Sequence, residues 1–268
     1  MITIVNGGSQ GLGEAVARRL VEDGSTGLLL TGRSTERGDA LAEELSQLGT
    51  PTSFVTADVA DPDAPGRVIA ACEEAFGRVD NLVNVAALTT RSSVLDESVD
   101  HFDAMMAVNV RAPYFLSQAV ARSIVERGGS GGIVNVGSTS GYGGQPRLAS
   151  YSMSKAALAV MTKNLAYSLM RHRIRVNQVN PGWMDTESEH RIQMSEEGAP
   201  EDWLVHAEAV QPVGRLVKPW EVANLIAFCL SDASGLLTGN VIDVDQTVLG
   251  AGGPPRPTAE ETPTLPPG

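Results

Sequence analysis

The chain is predicted to fold as a doubly wound α/β domain, a parallel sheet of about seven strands flanked by helices on both faces. Short apolar runs alternate with longer amphipathic ones from end to end, the pattern of strand–helix–strand units. A glycine-rich turn follows the first apolar run and opens a helical pattern, as a phosphate-binding crossover requires. A length of 268 residues with 42% hydrophobic content suffices for one sizeable core. The chain therefore reads as a single domain over about 1–250, followed by a Pro/Gly-rich tail over 251–268.

Taken in order, strands are expected at Ile2–Val5, Gly27–Thr31, Ser53–Thr56, Asn81–Val85, Gly132–Val136, Arg173–Val179 and Asn240–Val244. Helical patterns lie between them at about 12–23, 35–48, 62–76, 98–127, 151–171 and 219–231. Crossovers between parallel strands should be right-handed, with ligands at the carboxyl ends of the strands. A strandless insert from about Met184 to Pro212 breaks the rhythm. It is expected to be a lid, because loops over a rigid sheet carry specificity.

Composition narrows the function. A net charge of −12 argues against a nucleic-acid or anionic-membrane surface. No apolar run reaches membrane-spanning length, and the opening M-I-T-I-V-N has no signal-peptide layout. Cys72 and Cys229 lack the spacing of a metal or disulfide pair, which fits a reduced, cytoplasmic compartment. No Cys/His cluster appears, so no metal is expected.

The first turn reads N-G-G-S-Q-G-L-G from Asn6 to Gly13. Gly7, Gly11 and Gly13 permit positive φ and close backbone approach, and the helix N-terminus behind them attracts a pyrophosphate. This is a Rossmann-like dinucleotide site by position, with an ordinary tight βα turn as the bland alternative.

The stretch from Ser138 to Lys155 carries the chemistry. Tyr151 and Lys155 stand four apart at the start of a helical run, hence on one face. A neighbouring cation favours the phenolate and pulls a phenol down from about 10. Ser138 adds a hydroxyl just beyond the apolar run Ile133–Val136. The plain alternative is a surface helix start with an exposed Tyr and a solvated Lys. Further upstream, Pro113 lacks an N–H, so the carbonyl of Asn109, four residues earlier, loses its helical partner. A freed carbonyl can hold a water, unless Asn109 merely caps or kinks the helix.

In combination these motifs resemble the short-chain dehydrogenase/reductase family, single-domain branch, over nearly the whole chain to about residue 250. Gly7, Gly11 and Gly13 match its T-G-x-x-x-G-x-G, with Asn6 in place of Thr. N-V-A-A at Asn84–Ala87 stands for N-N-A-G, P-G-W-M-D-T at Pro181–Thr186 matches P-G-x-x-x-T, and a late V-D-Q-T stands for V-D-G-G. The resemblance implies a catalytic set of Asn109, Ser138, Tyr151 and Lys155. In it Tyr151 moves the proton, Lys155 tunes it and binds the nicotinamide ribose, Ser138 bonds the substrate oxygen, and Asn109 holds a relay water. It also implies cofactor contacts from Gly7, Ser9, Gln10, Gly11, Leu12 and Gly13, then Arg33, Asp58, Val59, Asn84 and Ala86. Tyr151, Lys155, Pro181, Gly182, Met184 and Thr186 complete that set, with Thr186 on the nicotinamide carboxamide. A homotetramer, or a homodimer, built on the helices around 98–127 and 151–171 is implied as well.

The second strand ends T-G-R at Thr31–Arg33, without the carboxylate that would accept both ribose hydroxyls of NAD. Arg33 offers a fork suited to a 2′-phosphate, so NADP is preferred over NAD. The alternatives are that Arg33 stacks on adenine or faces solvent, and Gln10 supplies no second cation. Substrate contacts are expected from Ser138, Gln145, Tyr151, Trp183 and His190, although an isolated His is more often exposed or packed. Asp185, Glu187 and Gln145 lean towards a small polar substrate. The expected reaction moves a hydride between a nicotinamide cofactor and a carbonyl or secondary alcohol. Its rivals are a non-catalytic nucleotide sensor or scaffold, and an enzyme using the same Tyr-Lys pair for elimination or epimerisation. A third is an NAD-dependent sugar or polyol dehydrogenase in place of an NADPH-dependent ketoreductase.

Overall fold

Seven strands lie in one parallel sheet, in the order β3-β2-β1-β4-β5-β6-β7, in the computed structural model, which describes residues 1–248. They are β1 (Ile2–Asn6), β2 (Gly27–Gly32), β3 (Thr52–Thr56), β4 (Asn81–Asn84), β5 (Gly131–Val136), β6 (Ile174–Pro181) and β7 (Val241–Val244). After β3 the chain returns across β1 to form β4, so the order reverses between β1 and β4. In open α/β sheets the crevice beyond that reversal is where ligands bind. This is the doubly wound, Rossmann-like fold that the alternation of apolar runs predicts.

Strand periodicity shows why both faces are covered. Leu28 and Leu30 of β2 point to one side, and Leu29 between them points to the other. The first side packs on α1 (Gly11–Glu22), α2 (Thr35–Gln47) and α9 (Pro219–Leu230) through Val16, Leu20, Leu45 and Ile226. The second packs on α3 (Ala64–Phe76), α5 (Ala112–Glu126) and α6 (Ala149–Leu169) through Val68, Cys72, Val120, Ile124 and Ala166. At about 25 cal/mol per Å² of apolar surface, these two layers dominate the stability.

The long helix expected over 98–127 is divided. A regular helix α4 (Val99–Met106) runs into a π-helical turn (Ala107–Arg111) before α5 begins. In that turn the Ala112 N–H reaches back five residues to the carbonyl of Ala107. Pro113 explains the change, because it has no N–H to give the Asn109 carbonyl and its ring crowds the preceding turn. The insert over 184–212 contains no strand but does contain two helices, α7 (Glu187–Ser195) and α8 (Trp203–Ala209). They have a small core of their own, Trp203, Ala207 and Leu216. The tail expected over 251–268 lies outside the described residues.

Candidate active site

A cleft of about 410 Å³ opens beyond the carboxyl ends of the central strands. One wall is the glycine turn. Gly7, at φ +83, donates its N–H to the Thr31 carbonyl at 3.1 Å. A Cβ there would sit 2.6 Å from the Ala86 nitrogen, so only glycine lets the two loops meet. Gly11 is also at positive φ, and with Ser9, Gln10 and Leu12 it lines the cleft. Gln10 stands at the N-cap of α1 without a side-chain capping bond. The first-turn amides are therefore open to an anion, the cradle that a dinucleotide pyrophosphate fits. Gly13 does not line the cleft. Its missing Cβ would overlap the Gly7 carbonyl, so this glycine packs α1 beneath the turn.

At the outer end stand Arg33, Asp58 and Val59. Arg33 is exposed and has no ion pair among the described residues. The Asp58 carboxylate accepts from the Ala60 N–H at 2.9 Å, which braces its turn. Ala86 lines the cleft at the sheet reversal, whereas Asn84 lies buried beneath it and donates to Ser117 and Asn135. Ala87 replaces the family glycine without strain, because Arg173 is the only non-glycine at positive φ among the described residues. Pro181, Gly182, Met184 and Thr186 form the inner end. The Thr186 hydroxyl caps α7 by accepting from the Glu189 N–H at 3.2 Å.

Ser138, Tyr151 and Lys155 share this cleft. Ser138 follows β5, and its hydroxyl oxygen accepts from the Ser140 N–H at 3.1 Å, capping a short 3-10 turn (Thr139–Tyr142). That leaves its own O–H free to donate. Lys155, one helical turn beyond Tyr151, is buried and donates to the Val136 carbonyl at 2.8 Å. Its nitrogen stands 5.6 Å from the Tyr151 ring centre. Burial pulls the Lys155 ammonium down to about 8. The phenol departs from expectation. Burial holds Tyr151 above its ordinary value, against the Ser138 hydrogen bond; Glu189 adds to the rise and Arg91 opposes it. Spacing alone pointed to a phenol pulled down by Lys155. Burial sets the direction here, over the lowering by Ser138 and Arg91, and a raised phenol stays protonated at neutral pH.

Asn109 is buried below the cleft without lining it, and its side chain acts as a clamp. Its Oδ1 accepts from the Leu88 N–H at 2.8 Å, while Nδ2 donates to the Leu88 carbonyl at 2.9 Å and to Ser154 Oγ at 3.0 Å. Gln145, Trp183 and His190, expected at the substrate, also do not line the cleft. Gln145 is exposed beyond the 3-10 turn. Trp183 donates to Glu189 at 2.9 Å and stacks on Trp203, and His190 pairs with Asp185 at 2.7 Å. These three contacts hold the 184–212 insert together.

Sequence reasoning missed a set of charged contacts made by this insert. Arg91, beyond β4, pairs with Glu189 of α7 at 2.9 Å, and Arg147 pairs with Glu197 at 2.6 Å. On the opposite rim Arg37 pairs with Glu187 at 3.0 Å, and Gln10 donates to Ser188 at 3.2 Å. The partners are far apart in sequence, so no local pattern announces them. Only the Thr186-x-x-Glu189 spacing, a helix-start signature, was readable in advance.

Residues 7–247 match a family model described as Enoyl-(Acyl carrier protein) reductase. An uncharacterized oxidoreductase of Thermotoga maritima is 35% identical over 245 residues, covering 91% of this chain and 95% of that protein. Gluconate 5-dehydrogenase of Gluconobacter oxydans is 34% identical over 242 residues, covering 90% and 92%. Among solved structures, a variant actinorhodin polyketide ketoreductase with NADPH aligns with a TM-score of 0.86 at 28% identity, covering 91% and 95%.

Proposed function

The chain belongs to the short-chain dehydrogenase/reductase family, and on that premise we propose that it reduces the carbonyl of a small polar molecule, or oxidises the corresponding alcohol, preferring NADP. As a family member it is an NAD(P)-dependent oxidoreductase. One observation carries the specific reading: a hydroxyl, a phenol and a buried ammonium converge in the cleft that the glycine turn opens. A scaffold or sensor has no use for a buried lysine at that position, since burying an ammonium is costly.

When bound, the nicotinamide supplies or accepts the hydride. Ser138 donates its free O–H to the substrate oxygen and fixes the carbonyl. Tyr151, protonated at neutral pH, gives its proton to that oxygen as charge develops on it. Lys155 holds positive charge behind the phenol and stabilises the phenolate that results. Asn109 fixes the Leu88 loop, and with it the stretch of cleft wall that Leu88 forms. Residues 184–212 close over the cleft as a lid, with polar and charged groups on its rim. That composition supports a polar substrate and resembles the needs of a sugar acid, the class named by one relative.

NADP is favoured because β2 ends without a carboxylate and leaves Arg33 exposed and unpaired among the described residues. Assembly as a homotetramer or homodimer is supported by apolar side chains exposed on α5 and α6, among them Phe115, Val160 and Tyr167. Free, buried Cys72 and Cys229 accord with a cytoplasmic setting. The test is a titration of the purified protein with NADPH and with NADH, followed by nicotinamide fluorescence. Tighter NADPH binding, lost on Arg33→Ala, is expected. Tighter NADH binding would overturn the cofactor preference, and binding of neither would overturn the enzyme reading.

A further inference from the structure

A row of polar side chains crosses the sheet immediately below the cleft. Thr31, Asn6, Asn84, Asn135 and Gln178 are cross-strand partners on one rung, and Asn180 and Asp243 are partners two residues further along. Partners directly opposite share a face of the sheet, so these groups meet. The Thr31 hydroxyl donates to Asn6 at 2.9 Å, Asn6 to Asn84 at 3.5 Å, and Asn84 to Asn135 at 2.9 Å. Asn135 donates to Thr162 of α6 at 2.9 Å, and Thr162 to Gln178 at 3.3 Å. Gln178 then donates to Asn180 at 2.7 Å, and Asn180 to the Asp243 carboxylate at 3.0 Å. Every link donates in the same direction. The row begins at the glycine turn, where the Gly7 N–H donates to Thr31 at 3.3 Å, and ends on a carboxylate. Hydrogen bonds aligned in this way polarise and stiffen one another.

The far end of the row bears on the catalytic loop by two routes. Gly137, immediately before Ser138, has no room for a Cβ, which would overlap the amides of Asn180 and Gln178. The backbone carrying Ser138 therefore rests directly on the row. Tyr142, which closes the 3-10 turn that Ser138 caps, donates its hydroxyl to both Asp243 oxygens, at 3.0 and 3.1 Å. The turn is thus held at its start by the amides beneath Gly137 and at its end by Asp243. Tyr142 is half exposed and lies outside the cleft, so contact with substrate does not account for its bond to β7.

We propose that Tyr142 and Asp243 are positioning residues for Ser138, anchoring the turn it caps to the amide row so that its O–H faces the Tyr151 oxygen when the cleft is empty and the substrate oxygen when it is filled. The proposal rests on the reading of Ser138 and Tyr151 given above. It predicts that the two bonds act through Ser138 alone. A packing role would weaken the protein whether or not Ser138 is present.

The test needs no substrate. Protein labelled with ¹³C at tyrosine Cζ gives one resonance per tyrosine, and Tyr151→Phe identifies the Tyr151 signal. Ser138→Ala should shift that signal by removing its hydrogen bond. Tyr142→Phe and Asp243→Ala should each shift it in the same direction, by at least about half as much. Asp243→Asn, which keeps an acceptor oxygen, should restore most of the wild-type position. In a Ser138→Ala background, Tyr142→Phe should add nothing. With a carbonyl substrate in hand, Tyr142→Phe should lower kcat about tenfold at unchanged KM, as expected for one misaligned hydrogen bond. An unmoved Tyr151 signal in both Tyr142→Phe and Asp243→Ala would overturn the proposal, as would an equal shift in the Ser138→Ala background. If Ser138→Ala itself moved nothing, the Ser138–Tyr151 contact would be absent and the reading beneath the proposal would fall with it. The cofactor titration fails or succeeds independently of all these outcomes.

Discussion

Lys155 is a charged group held where water is excluded, with one carbonyl as its hydrogen-bond partner. Its pKa of about 8 in the folded protein lies below the ordinary lysine value of 10.5. Between those values the unfolded chain binds the proton and the folded protein does not, so stability from this residue rises with pH. Below about 8 the full burial penalty is present, because the group is charged in both states. Lys155→Met removes the titration. Urea unfolding of both proteins across this range should show wild type gaining on the variant as pH rises from about 8 to 10.5. A constant difference would contradict the burial of the charge. The spacing of Tyr151 and Lys155 was legible in the sequence, since helix geometry alone sets it. The direction of the Tyr151 shift was not, because it depends on burial in the folded cleft, with the distant charges of Glu189 and Arg91 acting in opposite directions.

At the scale of elements, the sequence displayed periodicity and hid its interruptions. All seven strands fall within two residues of their expected limits, because a parallel strand buried on both faces reads as a continuous apolar run. The helix over 98–127 read as one piece because a π turn keeps almost the same apolar periodicity, and only Pro113 marked the place. Pro113 pointed to the Asn109 carbonyl. The structure adds a side-chain clamp on Leu88, to which no local pattern corresponds. Removing that clamp tests its worth. Asn109→Ala strands the partly buried Leu88 N–H and carbonyl, and should cost about 1–3 kcal/mol in urea unfolding, at roughly 0.5–1.5 kcal/mol per group. It should also weaken NADPH binding several-fold, since Leu88 lines the cleft. A loss below about 0.5 kcal/mol would mean the loop is held by its backbone alone. The insert over 184–212 carries no strand signal, although its T-x-x-E start announces a helix.

At the scale of the whole molecule, the chemistry lies beyond the carboxyl ends of the central strands and exposed apolar surface lies elsewhere. The cleft draws on segments from Asn6 to Arg191, which only the fold brings together. A second, largely apolar depression runs between α5 and α6, lined by Tyr114, Phe115, Val160 and Leu165. The assembly proposed above would bury this surface between subunits. Phe115→Glu with Val160→Glu should therefore yield a smaller species by sedimentation than wild type, with its circular dichroism retained. Unchanged sedimentation would remove these helices from the assembly. The family motifs made this surface foreseeable, since helix positions follow from them. The amide row did not become visible until register joined Asn6, Asn84, Asn135 and Gln178 across four strands.

The central claim is hydride transfer assisted by a proton from Tyr151. It is tested by incubating the protein with NADPH deuterated at the transferable C4 position and a panel of small polar ketones, then weighing the alcohols formed. Wild type should place one deuterium on the carbinol carbon of at least one product. Tyr151→Phe should bind the cofactor equally well and lose about 10²–10⁴-fold of that transfer. Transfer at the wild-type rate by Tyr151→Phe, or none by wild type to any ketone with cofactor bound, would contradict the account.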